Sequence, residues 1–150
     1  MSIARDILTN PVLIAAALAC VLAQLMKFPL EYLLHRQWNW RLILNASGMP
    51  SSHSALVVSA AITIGLRDGF DSSLFALACV LAAIVVYDAT GVRRQTGDHA
   101  RILNLMLDEL LTGHPLAEKE LKEMLGHTPR EVIAGIVWGI VVGWATWRWL

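Results

Sequence analysis

Charge is scarce in this sequence. Of its 150 residues, 16% are charged and 56% hydrophobic, against roughly 25% and 45–50% in ordinary soluble domains. Neither sign is in excess. Twelve basic residues balance 12 acidic ones, with an isoelectric point near 7.0, so the basic footprint that binds a phosphate backbone is missing and a nucleic-acid partner is not expected. Cysteine is nearly absent: Cys20 and Cys79 lie inside apolar runs, form no metal-ligand spacing, and read as small buried residues. Repeats, low-complexity tracts and strand-like alternation are also missing. What is present is apolar surplus, with a mean hydropathy of +0.55, in a chain whose length suits one domain, residues 1–150. That combination points to a membrane protein.

The surplus is bunched into four runs: Pro11 to Met26, Ala55 to Leu66, Leu74 to Tyr87, and Val132 to Leu150. Crossing a bilayer core takes about 20 apolar residues. The two middle runs reach that length only if Pro50 to His53 and Asp88 to Gly91 are included, which sets polar residues at membrane depth, where they are costly and mark functional candidates. A signal-peptide reading of the first run finds only Arg5 as a charged n-region. If all four runs span, Lys27, Arg36, Arg41, Arg93, Arg94, Arg101, Lys119, Lys122 and Arg130 share one side, and Arg5, Arg67 and Arg148 the other. The positive-inside rule then turns the long connections to the cytoplasm.

Between the third and fourth runs His99, Ile102, Leu103, Met106 and Leu110 recur every three or four residues from Asp98 onward, while Asp108 and Glu109 turn elsewhere. This is an amphipathic helix, stopped by Gly113-His114-Pro115. Leu116 to Leu125 forms a second, charged helix ending at Gly126. The expected fold is therefore all-α: an integral-membrane bundle of about six helices, about four of them spanning, with a cytoplasmic amphipathic pair before the last span.

Two stretches on the predicted cytoplasmic side put reactive groups at the start of a membrane helix: Gly48-Met49-Pro50-Ser51-Ser52-His53-Ser54 and Gly126-His127-Thr128-Pro129-Arg130-Glu131. Helix N-termini carry unpaired N–H groups and about half a positive charge, so they attract phosphate. Two histidines at one phosphate can supply a nucleophile and a general acid. The simpler role of these residues is capping: Ser51 and Thr128 are good N-caps, and Thr128-Pro129-Arg130-Glu131 fits a capping box. Capping does not explain why each cap has a histidine beside it on the same membrane side, near an arginine pair.

Asp88 ends the third run just before Arg93 and Arg94, where it can pair with one of them or simply meet water. No His-x-x-x-His or cysteine spacing supports a zinc site, so no metal or other cofactor is expected. Gly135, Gly139 and Gly143 stand four residues apart, a ridge that can seat the last helix against the core or build a homodimer. Trp144, Trp147 and Trp149 fit an aromatic belt on the far side, and Trp38 and Trp40 one on the near side.

Pro50-Ser51-Ser52-His53 resembles the Pro-Ser-Gly-His motif of the type 2 phosphatidic acid phosphatases, a superfamily that includes the vanadium haloperoxidases. The segment from His127 through Glu131 to Val132-Ile133-Ala134-Gly135 is similar to the end of its third motif, His-x-x-x-Asp followed by Val-x-Ala-Gly. The whole chain, with Tyr87-Asp88-Ala89-Thr90-Gly91-Val92-Arg93-Arg94, looks like the short, divergent bacterial and plant branch. The resemblance implies a metal-independent phosphomonoesterase working through a phosphohistidine. His127 is then the nucleophile and His53 the acid and base, while Glu131 orients His127. Phosphate would be held by Arg93, Arg94, Ser51, Ser52 and Lys27, with Asp88 supporting. The chain departs from the family pattern where Glu120 and Leu121 replace Ser-Arg, Ser52 replaces glycine and Glu131 replaces aspartate; Lys27 and Arg36 echo the first motif only loosely.

The implied substrate is a membrane lipid with a phosphomonoester or pyrophosphate headgroup, such as phosphatidylglycerol phosphate, phosphatidic acid or a polyprenyl phosphate. The implied site is a bacterial inner membrane, with the catalytic groups facing the cytoplasm. Two readings compete: a histidine-metal membrane hydrolase, and a non-catalytic scaffold or transporter-like protein in which His53 and His127 only cap and pack.

Overall fold

The structure, a computed structural model, describes residues 3–36, 48–111 and 127–150. Its helices are α1 (Ile3–Leu8), α2 (Pro11–His35), α3 (Ser52–Asp68), α4 (Ser73–Thr90), α5 (Val92–Leu111) and α6 (Pro129–Trp149), with no strand among the described residues. The expected all-α bundle is therefore present. Its six helices differ in part from those expected: α1 is a short addition, and the second amphipathic helix, Leu116 to Leu125, lies outside the described residues. So do Gly113-His114-Pro115, Trp38 and Trp40.

Side chains fix most of the helix starts. Asn10 Oδ1 accepts from the Val12 and Leu13 N–H groups at 2.9 and 3.2 Å, just ahead of Pro11. Ser72 Oγ accepts from Phe75 N–H at 3.2 Å, and Ser51 Oγ from Ser54 N–H at 3.4 Å. Each such cap stabilises its helix by about 1 kcal/mol. At its other end α2 runs past Met26 and through Lys27 to His35, so Lys27 belongs to a helix and not to a connection.

Among the described residues three helices are long and apolar enough to cross a membrane: Pro11–Leu30 within α2, α4, and α6. The fourth expected span, α3, has 17 residues and carries Ser52, Ser54, Ser59 and Thr63, all buried. Its position accounts for that composition. α3 packs most heavily on α6, then on α2 and α4, so protein surrounds the faces that would be costly in lipid. Ser59 Oγ–H donates to the Ala15 carbonyl of α2 at 3.1 Å, and Thr63 Oγ1–H to the Ser59 carbonyl at 2.8 Å.

Small residues let the helices approach. Ala15, Ala19 and Ala23 of α2 and Ala55 of α3 are fully buried. The glycine ridge of α6 lies on α3: a Cβ added at Gly139 would stand 2.7 Å from the Ala55 carbonyl oxygen, and one at Gly143 would stand 2.9 Å from that of Ser59. Of the two uses open to the ridge, the structure gives it to α3, which leaves those glycines covered rather than offered to a second copy. Cys79, expected to be buried, is exposed on α4, because that helix turns most of its apolar side chains outward.

The four core helices, α2, α3, α4 and α6, alternate in direction along the chain. Pro11, Arg67, Trp147 and Leu150 line one shallow cleft at the start of α2 and the ends of α3 and α6. At the opposite end the Ser51 N–H donates to the Glu131 carbonyl at 2.9 Å, and the His127 N–H to the Ala89 carbonyl at 3.1 Å. These two backbone bonds tie the starts of α3 and α6 and the end of α4 into one place.

Candidate active site

The site grows from the turn that opens α6. Thr128 is the N-cap: its Oγ1 accepts from Glu131 N–H at 3.4 Å, while Glu131 Oε2 accepts from Thr128 N–H at 3.2 Å, a reciprocal capping box. The same carboxylate oxygen lies 2.9 Å from His127 Nδ1. A carboxylate only accepts, so in the neutral ring Nδ1 carries the proton and Nε2 holds the lone pair. Nε2 is buried and meets no hydrogen-bond partner among the described residues. A solvent-shielded imidazole lone pair, with its other nitrogen anchored to a carboxylate, suits a nucleophile.

His127 lines a cleft of about 270 Å³ with His53, Ile84, Val85, Asp88 and Ala89. His53 reaches it from the first turn of α3, where the Ser51 cap and the cis Met49–Pro50 peptide lead into the helix. Asp88 and Ala89 come from the last turn of α4. Because α3 and α6 both start here, two helix N-termini add positive partial charge at the same end of the bundle. The chemistry available is proton transfer and nucleophilic attack by imidazole, in a cleft with one acidic wall residue and apolar flanks.

Of the residues singled out in the sequence, His53, Asp88 and His127 meet in the cleft, with Glu131 directly behind His127. Ser51 and Ser52 are buried beside it and do not line it; Ser51 Oγ is engaged as the α3 cap and accepts the Ser54 hydroxyl at 3.1 Å. Lys27 is 2% exposed on α2, and the Glu131 charge acts on its ammonium, so it stands inside the bundle and not among interfacial side chains. Arg93 and Arg94 fall on the first turn of α5, directly after the cleft wall formed by α4; their side chains lie outside what the structure describes.

Sequence reasoning missed the Ala89 carbonyl that fixes the His127 backbone, and the apolar wall made by Ile84 and Val85. An alanine carbonyl carries no sequence signal, and two more apolar residues in an apolar run do not stand out.

Comparison with known proteins follows the same line. A family model described as the divergent PAP2 family matches residues 8–142. The uncharacterized membrane protein YuiD of Bacillus subtilis (strain 168) is 40% identical over 148 residues, covering 91% of this chain and 94% of that protein. No solved structure matches the chain.

Proposed function

The chain belongs to the divergent PAP2 family, and on that premise we propose that it is an integral-membrane phosphatase that hydrolyses the phosphomonoester or pyrophosphate headgroup of a lipid. Membrane embedding rests on the three apolar helices and on the membrane-protein relative. One observation carries the catalytic reading: His53 and His127, far apart in sequence, line one cleft, and Glu131 holds His127 by Nδ1 so that Nε2 keeps its lone pair.

In the proposed reaction His127 Nε2 attacks phosphorus. A P–N bond forms as the P–O bond to the lipid alcohol breaks, and protonated His53 gives its proton to the departing oxygen. His53, now neutral, takes a proton from water, whose oxygen attacks phosphorus; the P–N bond breaks and inorganic phosphate leaves. Glu131 stabilises the positive charge on the His127 ring. Proton transfer of this kind contributes about 10²–10⁴-fold. Arg93 and Arg94 are the assigned phosphate clamps, because guanidinium pairs two phosphate oxygens. Ser51, Ser52 and Lys27 contribute the helix start and positive charge behind it, and Asp88 holds Arg93 or Arg94 in place by an ion pair.

The reading assigns no metal and no cofactor to the reaction. It turns the cleft to the cytoplasmic face of a bacterial inner membrane, following the basic residues. The substrate class is phosphatidylglycerol phosphate, phosphatidic acid or a polyprenyl phosphate, whose tails stay in the leaflet. The test is phosphate release from a panel of these lipids by purified protein with chelator present, beside His53→Ala and His127→Ala. Release by the wild type and its loss in both variants supports the reading. Chelator-sensitive release supports the metal hydrolase instead, and no release from any lipid supports the non-catalytic scaffold.

A further inference from the structure

α5 is the one long helix in the described structure that the bundle does not enclose. It packs on α4 alone among the described elements, whereas α2, α3, α4 and α6 all share the core. It opens directly after α4, across Gly91, and backbone bonds bridge the junction: the Gly91 N–H donates to the Tyr87 carbonyl at 2.8 Å, and the Gln95 N–H to the Gly91 carbonyl at 3.1 Å.

Two properties of α5 conflict in water. Ile102, Leu103, Met106 and Leu110 follow one another at helical spacing and are all exposed, Leu110 by 80%. At 100° per residue they fall within one arc, and Asn104 falls opposite, as does Asp108 by the sequence period, while Glu109 falls on the flank beside Ile102. Leu105 is the exception, an exposed apolar residue on the polar side. Charged residues recur along the helix, from Arg93 and Arg94 to Asp108 and Glu109, so it is not a spanning segment. An amphipathic helix of this kind, with arginines on its polar side, is the sort that lies in the membrane interface.

Continuity with α4 identifies the occupant of the apolar face. α4 can cross a membrane, and its Leu77, Val80, Leu81, Ile84 and Tyr87 are exposed, as lipid-facing residues are. Only Gly91 separates α5 from the end of this membrane-crossing helix, so its exposed apolar residues stand beside the bilayer. We infer that α5 lies along the bilayer surface, with Ile102, Leu103, Met106 and Leu110 in lipid and its polar side in water. Because Asp88 and Ala89 line the catalytic cleft just before the junction, a surface-lying α5 sets the mouth of the cleft at headgroup depth. That last consequence rests on the phosphatase reading; the position of α5 does not.

Site-directed spin labelling in phospholipid vesicles containing anionic lipid tests the inference. In a Cys20→Ala, Cys79→Ala background, single cysteines at 102, 103, 106 and 110, and at 104 and 108, carry a nitroxide. Its collisions with oxygen, which partitions into lipid, and with a water-soluble nickel chelate are then measured. The expected result is a ratio that oscillates with the helix: oxygen dominates at the four apolar positions and nickel at 104 and 108. Nickel dominating at all six would place α5 in water and overturn the inference. Low collision with both reagents at the four apolar positions would mean that protein, from this chain or a second copy, covers them, and would overturn it equally. The four apolar positions are exposed, so each label there reports independently if one variant folds poorly. Since no turnover is read, failure here leaves the phosphatase reading standing, and an inactive protein leaves α5 standing.

Discussion

Glu131 Oε2 stands 2.9 Å from His127 Nδ1 while also accepting the Thr128 N–H at 3.2 Å. Capping and histidine orientation, which look like alternatives in the sequence, are therefore served by one oxygen. The two contributions separate by mutation.

Thr128→Ala removes the Oγ1 half of the box and leaves the His127–Glu131 bond. Its expected effect is a loss of about 1 kcal/mol in stability with turnover largely retained. Glu131→Gln keeps an acceptor for the cap and removes the charge opposing an imidazolium. Its expected effect is a drop in kcat of about 10²–10⁴-fold with KM little changed. Thermal unfolding in detergent and phosphate-release kinetics check the pair.

The Lys27 ammonium, almost wholly enclosed, is acted on by the Glu131 charge. A Lys27→Met, Glu131→Gln double-mutant cycle on thermal stability should therefore be non-additive, with a coupling of about 0.5–3 kcal/mol. Strict additivity would show that the two charges do not act on each other.

Gly139 presses on α3, where an added Cβ would come within 2.9 Å of Val58 Cβ as well as close to the Ala55 carbonyl. Gly139→Ala should force the helices apart and lower stability by about 1–3 kcal/mol. Because the site end is tied to α3 through the Ser51–Glu131 backbone bond, activity should fall in the folded fraction too. Thermal unfolding and activity normalised to folded protein read the two effects.

The proposed orientation, with the cleft end at the cytoplasmic face, rests on the distribution of basic residues. Cysteine introduced at Met49, at the cleft end, should react with a membrane-impermeant reagent only when the cytoplasmic face is open, and cysteine at Trp149 only from the other side. The reverse pattern would turn the cleft outward.

Much of this architecture can be read from residues alone, for identifiable reasons. Long apolar runs and capping residues are local signals, so the spans of α2, α4 and α6 and the caps at Ser51 and Thr128 stand out in the sequence. The motif residues His53, His127 and Glu131 are also legible, since each sits at a fixed spacing from its helix start. What the sequence does not reveal is burial by neighbours. α3 looks like a weak span because Ser54, Ser59 and Thr63 are costly in lipid, and only its central position, enclosed by α2, α4 and α6, removes that cost. The same holds for Lys27, whose interior position leaves no mark in the local sequence, and for Gly135, Gly139 and Gly143, whose ridge fits α3 as well as it would fit a partner helix. Exposure of Cys79 was hidden likewise, because α4 is apolar on every side.

In the proposed reaction His127 carries the phosphoryl group. Purified protein is mixed with a lipid substrate radiolabelled in its terminal phosphate and quenched within a turnover, and the protein is then separated from lipid. The expected result is covalent label on the wild type that is lost in acid and kept in alkali, as a phosphohistidine is, and none on His127→Ala, which also fails to release phosphate. Wild-type turnover by His127→Ala, or label of the same stability on that variant, would contradict it.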